Sequence, residues 1–338
     1  VFFVAEVMAP IALLQGTRQV ILYAVGSLPN NEHDLSRRLL MTTKPHLTFR
    51  HPNAVYDASF SPDGKLLASA SLDNTAKIWD LESGEERLTL RGHGDGVCTV
   101  EFLPDGKKLV TASLDKSLRI WDVATGVVMA TMSGHQQYVE CMAASPDGRL
   151  LASGGYDNVV RVWDAATSAQ KFVLTGHSDA VYCVAFSADN KLLASGSYDQ
   201  SLLLWDAASG AQLGPVTGHN GTVEGIAFAP SGDRFATASG DGKIRIGTST
   251  SRVVIAELVG HRNFAKCVAY SSDGKLIASG GRDGEVLLWS TKTLEHVTKI
   301  EAHSNSVYSV EFSPDSTHLA SASFDRTIKV WELGKLLD

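Results

Sequence analysis

From residue 46 onward the chain alternates short apolar runs with short polar breaks, and the alternation repeats. Runs such as Val181–Phe186 are rich in β-formers and about one strand long. Such a run is followed by a break such as Ser61-Pro62-Asp63-Gly64, whose Pro and Gly suit a tight hairpin. A second strand is predicted at residues 65–69. A turn carrying Asp73 then leads to a third strand ending at Trp79-Asp80. Glu82-Ser83-Gly84 makes the next turn, and residues 87–90 the fourth strand. Short strands with frequent turn signals predict an all-β fold.

The alternation has a fixed period. His51, His93, His135, His177, His219, His261 and His303 stand 42 residues apart. An Asp follows each by 22 residues: Asp73, Asp115, Asp157, Asp199, Asp241, Asp283 and Asp325. Six residues further on stands Trp79, Trp121, Trp163, Trp205, Trp289 or Trp331, whereas the fifth repeat has Gly247 there. Self-similarity at a fixed period marks a repeat architecture, and radial repetition of four-stranded sheets would leave few exposed edges. Gly92-His93 through Trp121-Asp122 resembles the Gly-His…Trp-Asp signature of the WD-repeat family, over about residues 46 to 333. The resemblance implies a seven-bladed β-propeller of four-stranded antiparallel blades. Leu47-Thr48-Phe49-Arg50 precedes His51 as residues 88–91 precede His93, so it reads as a fourth strand without its first three. The chain stops soon after Trp331, so the N-terminal strand is expected to complete the last blade, as in family members. A cut before Phe49 is expected to spare the ring and one after Arg50 to open it.

Four residues before each Asp is a hydroxyl: Ser69, Thr111, Ser153, Ser195, Thr237, Ser279 and Ser321. Ser, His and Asp together invite a hydrolase reading. Seven equivalent copies argue against it, because an enzyme needs one activated nucleophile at one cleft. A buried Trp N–H needs an acceptor, and hydroxyl, imidazole and carboxylate can relay hydrogen bonds through a blade. The resemblance implies this Trp–Ser/Thr–His–Asp tetrad, fixing strand register. Phosphate-loop and His-Glu-x-x-His motifs are missing from the sequence. Cys98, Cys141, Cys183 and Cys267 fall in different repeats and read as small core residues. No catalytic residue, cofactor or metal is therefore predicted. Gly247 removes an aromatic anchor, and Gly247→Trp is expected to raise stability unless the site has been repacked.

In the resembling family, three positions per blade face the entry side of the ring: three and five residues after the His, and just before the Asp. Eight of the twenty-one residues at these positions are aromatic, against 8 % of the whole chain, and aromatics are enriched at binding hot spots. Tyr138, Glu140, Tyr156, Tyr182 and Tyr198 cluster on blades three and four. Tyr56, Phe264, Tyr308 and Phe324, with Lys266 and Arg282, form a second, mixed cationic-aromatic arc. Aromatic faces beside a carboxylate suit a Lys or Arg from a partner peptide.

Composition narrows the partners. A net charge of −7 argues against a broad nucleic-acid surface. Four cysteines in 338 residues are no disulfide framework and suggest a reducing compartment, cytoplasmic or nuclear. The first 26 residues are apolar, but Glu6, Pro10, Gln15, Arg18 and Gln19 interrupt any clean span. Residues 1–45 are thus expected to be an extension without a membrane span, and 334–338 a short tail. The expected function is a non-catalytic scaffold, monomeric within a complex, holding other proteins at the propeller mouth. One alternative is a ubiquitin-ligase substrate receptor. Glu82, Ala124, Ala166 and Ala208 weaken it, because such receptors often carry Arg there. Another is the regulatory region of a larger nucleotide-switch protein.

Overall fold

The structure, a computed structural model, describes residues 44–337. The expectations for residues 1–43 lie outside the described residues. Seven four-stranded antiparallel sheets make the fold. Blade one shows the pattern: Val55–Phe60, Leu66–Ser71, Thr75–Asp80 and Glu86–Arg91, paired in that order. The first strand of each blade packs against the first strands of its neighbours, so seven inner strands surround a channel. Blade seven draws three strands from Val307–Phe312, His318–Ser323 and Thr327–Glu332, and its fourth from Leu47–Arg50. The closing register pairs Leu47 with Val330, Phe49 with Ile328 and Arg50 with Thr327. The strand therefore begins two residues before Phe49, which moves the tolerable cut to before His46, whose N–H donates to the Val330 carbonyl at 2.7 Å. At the other end, the short tail forms one helical turn, Leu333–Leu337. No helix among the described residues is long and apolar enough to cross a membrane.

Six blades contain the whole tetrad. In blade one Trp79 Nε1–H donates to Ser69 Oγ at 2.8 Å. That hydroxyl then has its own proton for His51 Nε2 at 2.8 Å, which leaves Nδ1–H to donate to Asp73 at 2.9 Å. The hydroxyls are fully buried inside the sheet. Burial opposes ionisation of Asp73, but hydrogen bonds from His51 and Thr75 outweigh it and hold the carboxyl below its usual range. Every donor and acceptor in the relay has a partner, the condition under which a buried polar network rigidifies a fold.

Blade five is built differently, and it overturns the expectation for Gly247→Trp. Across the hairpin from Gly247 sits Phe235, where the other six blades hold Leu or Ile opposite their Trp. Phe235 is fully buried among Cys183, Leu204, Val216 and Val223, and its ring lies over Gly247 so closely that a Cβ there would overlap it. The aromatic bulk has moved from one strand to its partner. Arg245 enters the same region and takes Asp241 in a two-nitrogen grip at 3.0 and 2.5 Å. His219 keeps its bond to Thr237 at 2.9 Å, but its buried Nδ1 has no partner. Burial, then the Arg245 charge, pushes the His219 imidazole down to about 4.

The seams between blades are not alike. Carboxylates clasp three of them: Glu311 accepts the Phe60 N–H at 2.7 Å, Asp57 the Val100 N–H at 3.0 Å, and Glu101 the Ala144 N–H at 2.9 Å. Thiols sit at three others, with Cys141, Cys183 and Cys267 directed at the Val181, Val223 and Val307 carbonyls. At the seam of blades five and six, Gly225 lets the backbones approach; a Cβ there would lie 3.0 Å from Cys267 Cα.

Burial raises Asp57 to about 6 and Glu101 to about 8. Glu311 rises well above the carboxylate range through burial, then through repulsion by Asp57 and Glu101. The folded ring keeps protons that the unfolded chain releases above about pH 4. The stability these groups contribute is therefore full below about pH 4 and is lost as pH rises through about 6 to 8. Glu101→Gln keeps an acceptor for Ala144 but cannot ionise. It is expected to match wild type near pH 5 and to melt about 2 °C or more above it near pH 8. Thermal melts at both values check this, and equal pH slopes for the two proteins would contradict it.

Candidate functional site: the aromatic propeller mouth

A bulge in the inner strand positions the channel side chains. In every blade the pairing of the first two strands skips one residue, five after the His: Tyr56, Cys98, Glu140, Tyr182, Glu224, Lys266 and Tyr308. A bulged residue leaves the ladder and its side chain is re-aimed. All seven line the cavity at the channel mouth.

The four tyrosines of blades three and four form one row. Tyr138 meets Tyr156 edge-on, Tyr156 meets Tyr182, and Tyr182 meets Tyr198, each with ring centroids 5.9 Å apart. The Tyr156 and Tyr182 hydroxyls lie 3.1 Å apart and hydrogen-bond to each other. Tyr138, Tyr156 and Tyr198 are 45, 43 and 51 % exposed, although they are large rings. A second cluster stacks Tyr56 on Tyr308 at 4.4 Å and continues to Phe324 at 6.1 Å. Lys266 joins the clusters, its ammonium 5.5 Å from the Tyr182 ring centre and 5.4 Å from that of Tyr308.

Lys266 departs from the expected cationic arc. It turns into the channel and pairs with buried Glu224 at 2.5 Å, so its charge is spent inside. Arg282 lies 4.4 Å over the Phe264 ring, apart from both clusters. Glu140 is placed beneath the tyrosines, in the cavity wall. Its carboxylate accepts no hydrogen bond from any described residue. Burial raises Glu140 to about 7, with Lys266 pulling it down and Glu224 pushing it up. The geometry thus offers an exposed aromatic rim over a cavity of about 210 Å³ holding one unspent carboxylate. That volume is below the roughly 300–1,000 Å³ usual for small-molecule sites but admits a single side chain.

The seam carboxylates Asp57, Glu101 and Glu311 escaped the sequence reading. Their signal was an acidic residue six or eight after the His, where other repeats hold mostly small residues.

Seven stretches match the family model described as WD domain, G-beta repeat: residues 43–80, 84–122, 126–164, 168–206, 210–246, 252–290 and 294–332. The fifth stops just before Gly247. Coronin-7 of Mus musculus is 41 % identical over 59 residues, 17 % of this chain and 6 % of that protein. The nuclear distribution protein PAC1 of Tuber melanosporum (strain Mel28) is 38 % identical over 71 residues, 21 % of this chain and 16 % of that protein. The probable serine/threonine-protein kinase PkwA of Thermomonospora curvata is 42 % identical over 65 residues, 19 % of this chain and 8 % of that protein. The chain thus spans only a small part of each relative's length. Seven matched repeats fold as seven blades, and the chain belongs to the WD40-repeat family.

Proposed function

We propose that the chain is a non-catalytic scaffold whose mouth holds an extended segment of a partner protein, with a Lys or Arg side chain of that segment reaching Glu140. The carrying observation is the row Tyr138–Tyr156–Tyr182–Tyr198, three of its four rings exposed, above an unpartnered carboxylate. Aromatic faces attract a cation, most strongly when it is desolvated. The stem of a Lys or Arg covers apolar surface while its head reaches a charge. Neighbouring rings hold one another in place, so little ordering is required on binding. The second cluster, Tyr56, Tyr308 and Phe324, would take a further apolar residue of the segment. The tetrad hydroxyls support the non-catalytic reading, since they are buried and engaged on both sides. Four unpaired thiols suit a reducing compartment, cytoplasmic or nuclear.

The test is a peptide-display library panned on the purified protein. Peptides rich in Lys or Arg are expected to be enriched. A Tyr156→Ala, Tyr198→Ala double variant is expected to lose about tenfold or more in affinity for them, the scale of a hot-spot pair, at an unchanged melting point. Enrichment of acidic or purely apolar peptides, or undiminished binding by the folded variant, would sink the proposal.

A further inference from the structure

Three departures from the repeat meet at one point on the closing seam. His46 immediately precedes the N-terminal strand Leu47–Arg50. His318 opens the second strand of blade seven, where other blades hold Leu66, Lys108, Leu150, Leu192, Arg234 and Leu276. Glu332 ends the third strand of that blade, where blades one to four hold Asp. We propose that His46, His318 and Glu332 form a binding site for a divalent transition metal of the zinc type, which fastens the closing strand to the last blade.

One possible ligand atom from each residue lies within 4.8 Å of the other two. His46 Nδ1 is 2.9 Å from Glu332 Oε1, and the two imidazole centroids are 5.7 Å apart. The register holds the set together: His318 is paired with Glu332 across the sheet, and Leu47 with Val330.

Two of the three ligands are held for the role by their neighbours. Thr317 Oγ1 donates to Asp315 at 2.7 Å, so its proton is spent. His318 Nδ1–H must then donate to Thr317 Oγ1, 2.8 Å away, which leaves the Nε2 lone pair free. A ligating His held through its other nitrogen is the usual arrangement in protein metal sites. In blades one to four the corresponding Asp is committed to a turn, accepting backbone N–H groups of Ser83, Thr125, Thr167 and Ser209. Glu332 is followed by a helical turn instead, and no described backbone N–H donates to its carboxylate. Lys335 takes its Oε2 at 2.6 Å, leaving Oε1 towards the imidazoles. Two nitrogens and one oxygen suit zinc, nickel or copper, whereas calcium and magnesium favour all-oxygen sets. His46 is 44 % exposed along its side chain, so water can complete the coordination.

The experiment is titration of tag-free, chelator-stripped protein with zinc chloride, followed by calorimetry and thermal melting. One zinc per chain is expected, with a midpoint about 2 °C or more higher; calcium chloride should give no rise. A His46→Ala, His318→Ala double variant is expected to fold, to lose at least tenfold in zinc affinity and to show no zinc-dependent rise. Should that variant fail to fold, cobalt(II) on the wild type decides. Visible bands of four- or five-coordinate cobalt are expected, and the spectrum of the hydrated ion would overturn the site. An undiminished zinc effect in the folded double variant, or no stoichiometric binding by the wild type, would also overturn it.

Discussion

Removing residues 1–50 is expected to abolish the cooperative melting of the propeller, whereas a chain beginning at Pro45 keeps the closing strand and serves as the reference. The deletion takes away the whole fourth strand of blade seven, Leu47–Arg50, and bares the edge of Thr327–Glu332. It also removes Phe49, only 3 % exposed and stacked on Trp79 of blade one at 4.8 Å. Phe49 shares a cluster with Val55, Trp79, Ala320 and Ile328, so it ties the last blade to the first. Truncating such a buried ring alone costs about 3–5 kcal/mol, a large part of the roughly 5–15 kcal/mol that holds a typical protein folded. The bare edge adds a tendency to pair with other copies. Circular dichroism melts and size-exclusion chromatography should show a broad transition and soluble aggregates. A sharp transition near that of the reference would contradict the closure.

The second large effect is at the pair Gly247 and Phe235. Gly247→Trp alone is expected to destabilise the chain, because the new side chain collides with the Phe235 ring in a packed core. Overpacking of this kind costs about 1–3 kcal/mol. Phe235→Leu alone leaves a cavity beside Gly247 and is also expected to destabilise. Combining the two rebuilds the Leu-opposite-Trp arrangement of the other blades. The double variant should therefore be more stable than either single one, with a coupling energy of about 1–3 kcal/mol. Denaturant melts of the four proteins measure it. Additive effects would mean that the two positions do not share one space.

How much of this was legible in the sequence follows from spacing. The 42-residue period made the blades and the tetrads readable, because each blade is a local unit of consecutive strands. The closing strand was readable as a fragment of the same unit. Phe235 was visible as the one Phe at a position of Leu and Ile, but its meaning needed the register that sets it opposite Gly247. The mouth candidates were chosen by repeat position, and the structure brings seven of the nine into two ring clusters linked through Lys266. Sequence position could not tell that Lys266 turns inward to Glu224, since side-chain direction is set by partners on another blade. For the same reason the His46, His318 and Glu332 cluster was invisible: its members meet only once the strand Leu47–Arg50 docks on the last blade.

The bulge in each inner strand also bears on how such a ring changes over time. A residue that has left the hydrogen-bond ladder can be exchanged without altering which backbone groups pair. The seven bulged positions already hold three Tyr, two Glu, one Lys and one Cys on nearly identical frames. The lining of the cavity and the folding of the blade are thereby written in separate letters of the same strand. A lineage, or a protein engineer, can rewrite the mouth one blade at a time while the ring that presents it stays as it was.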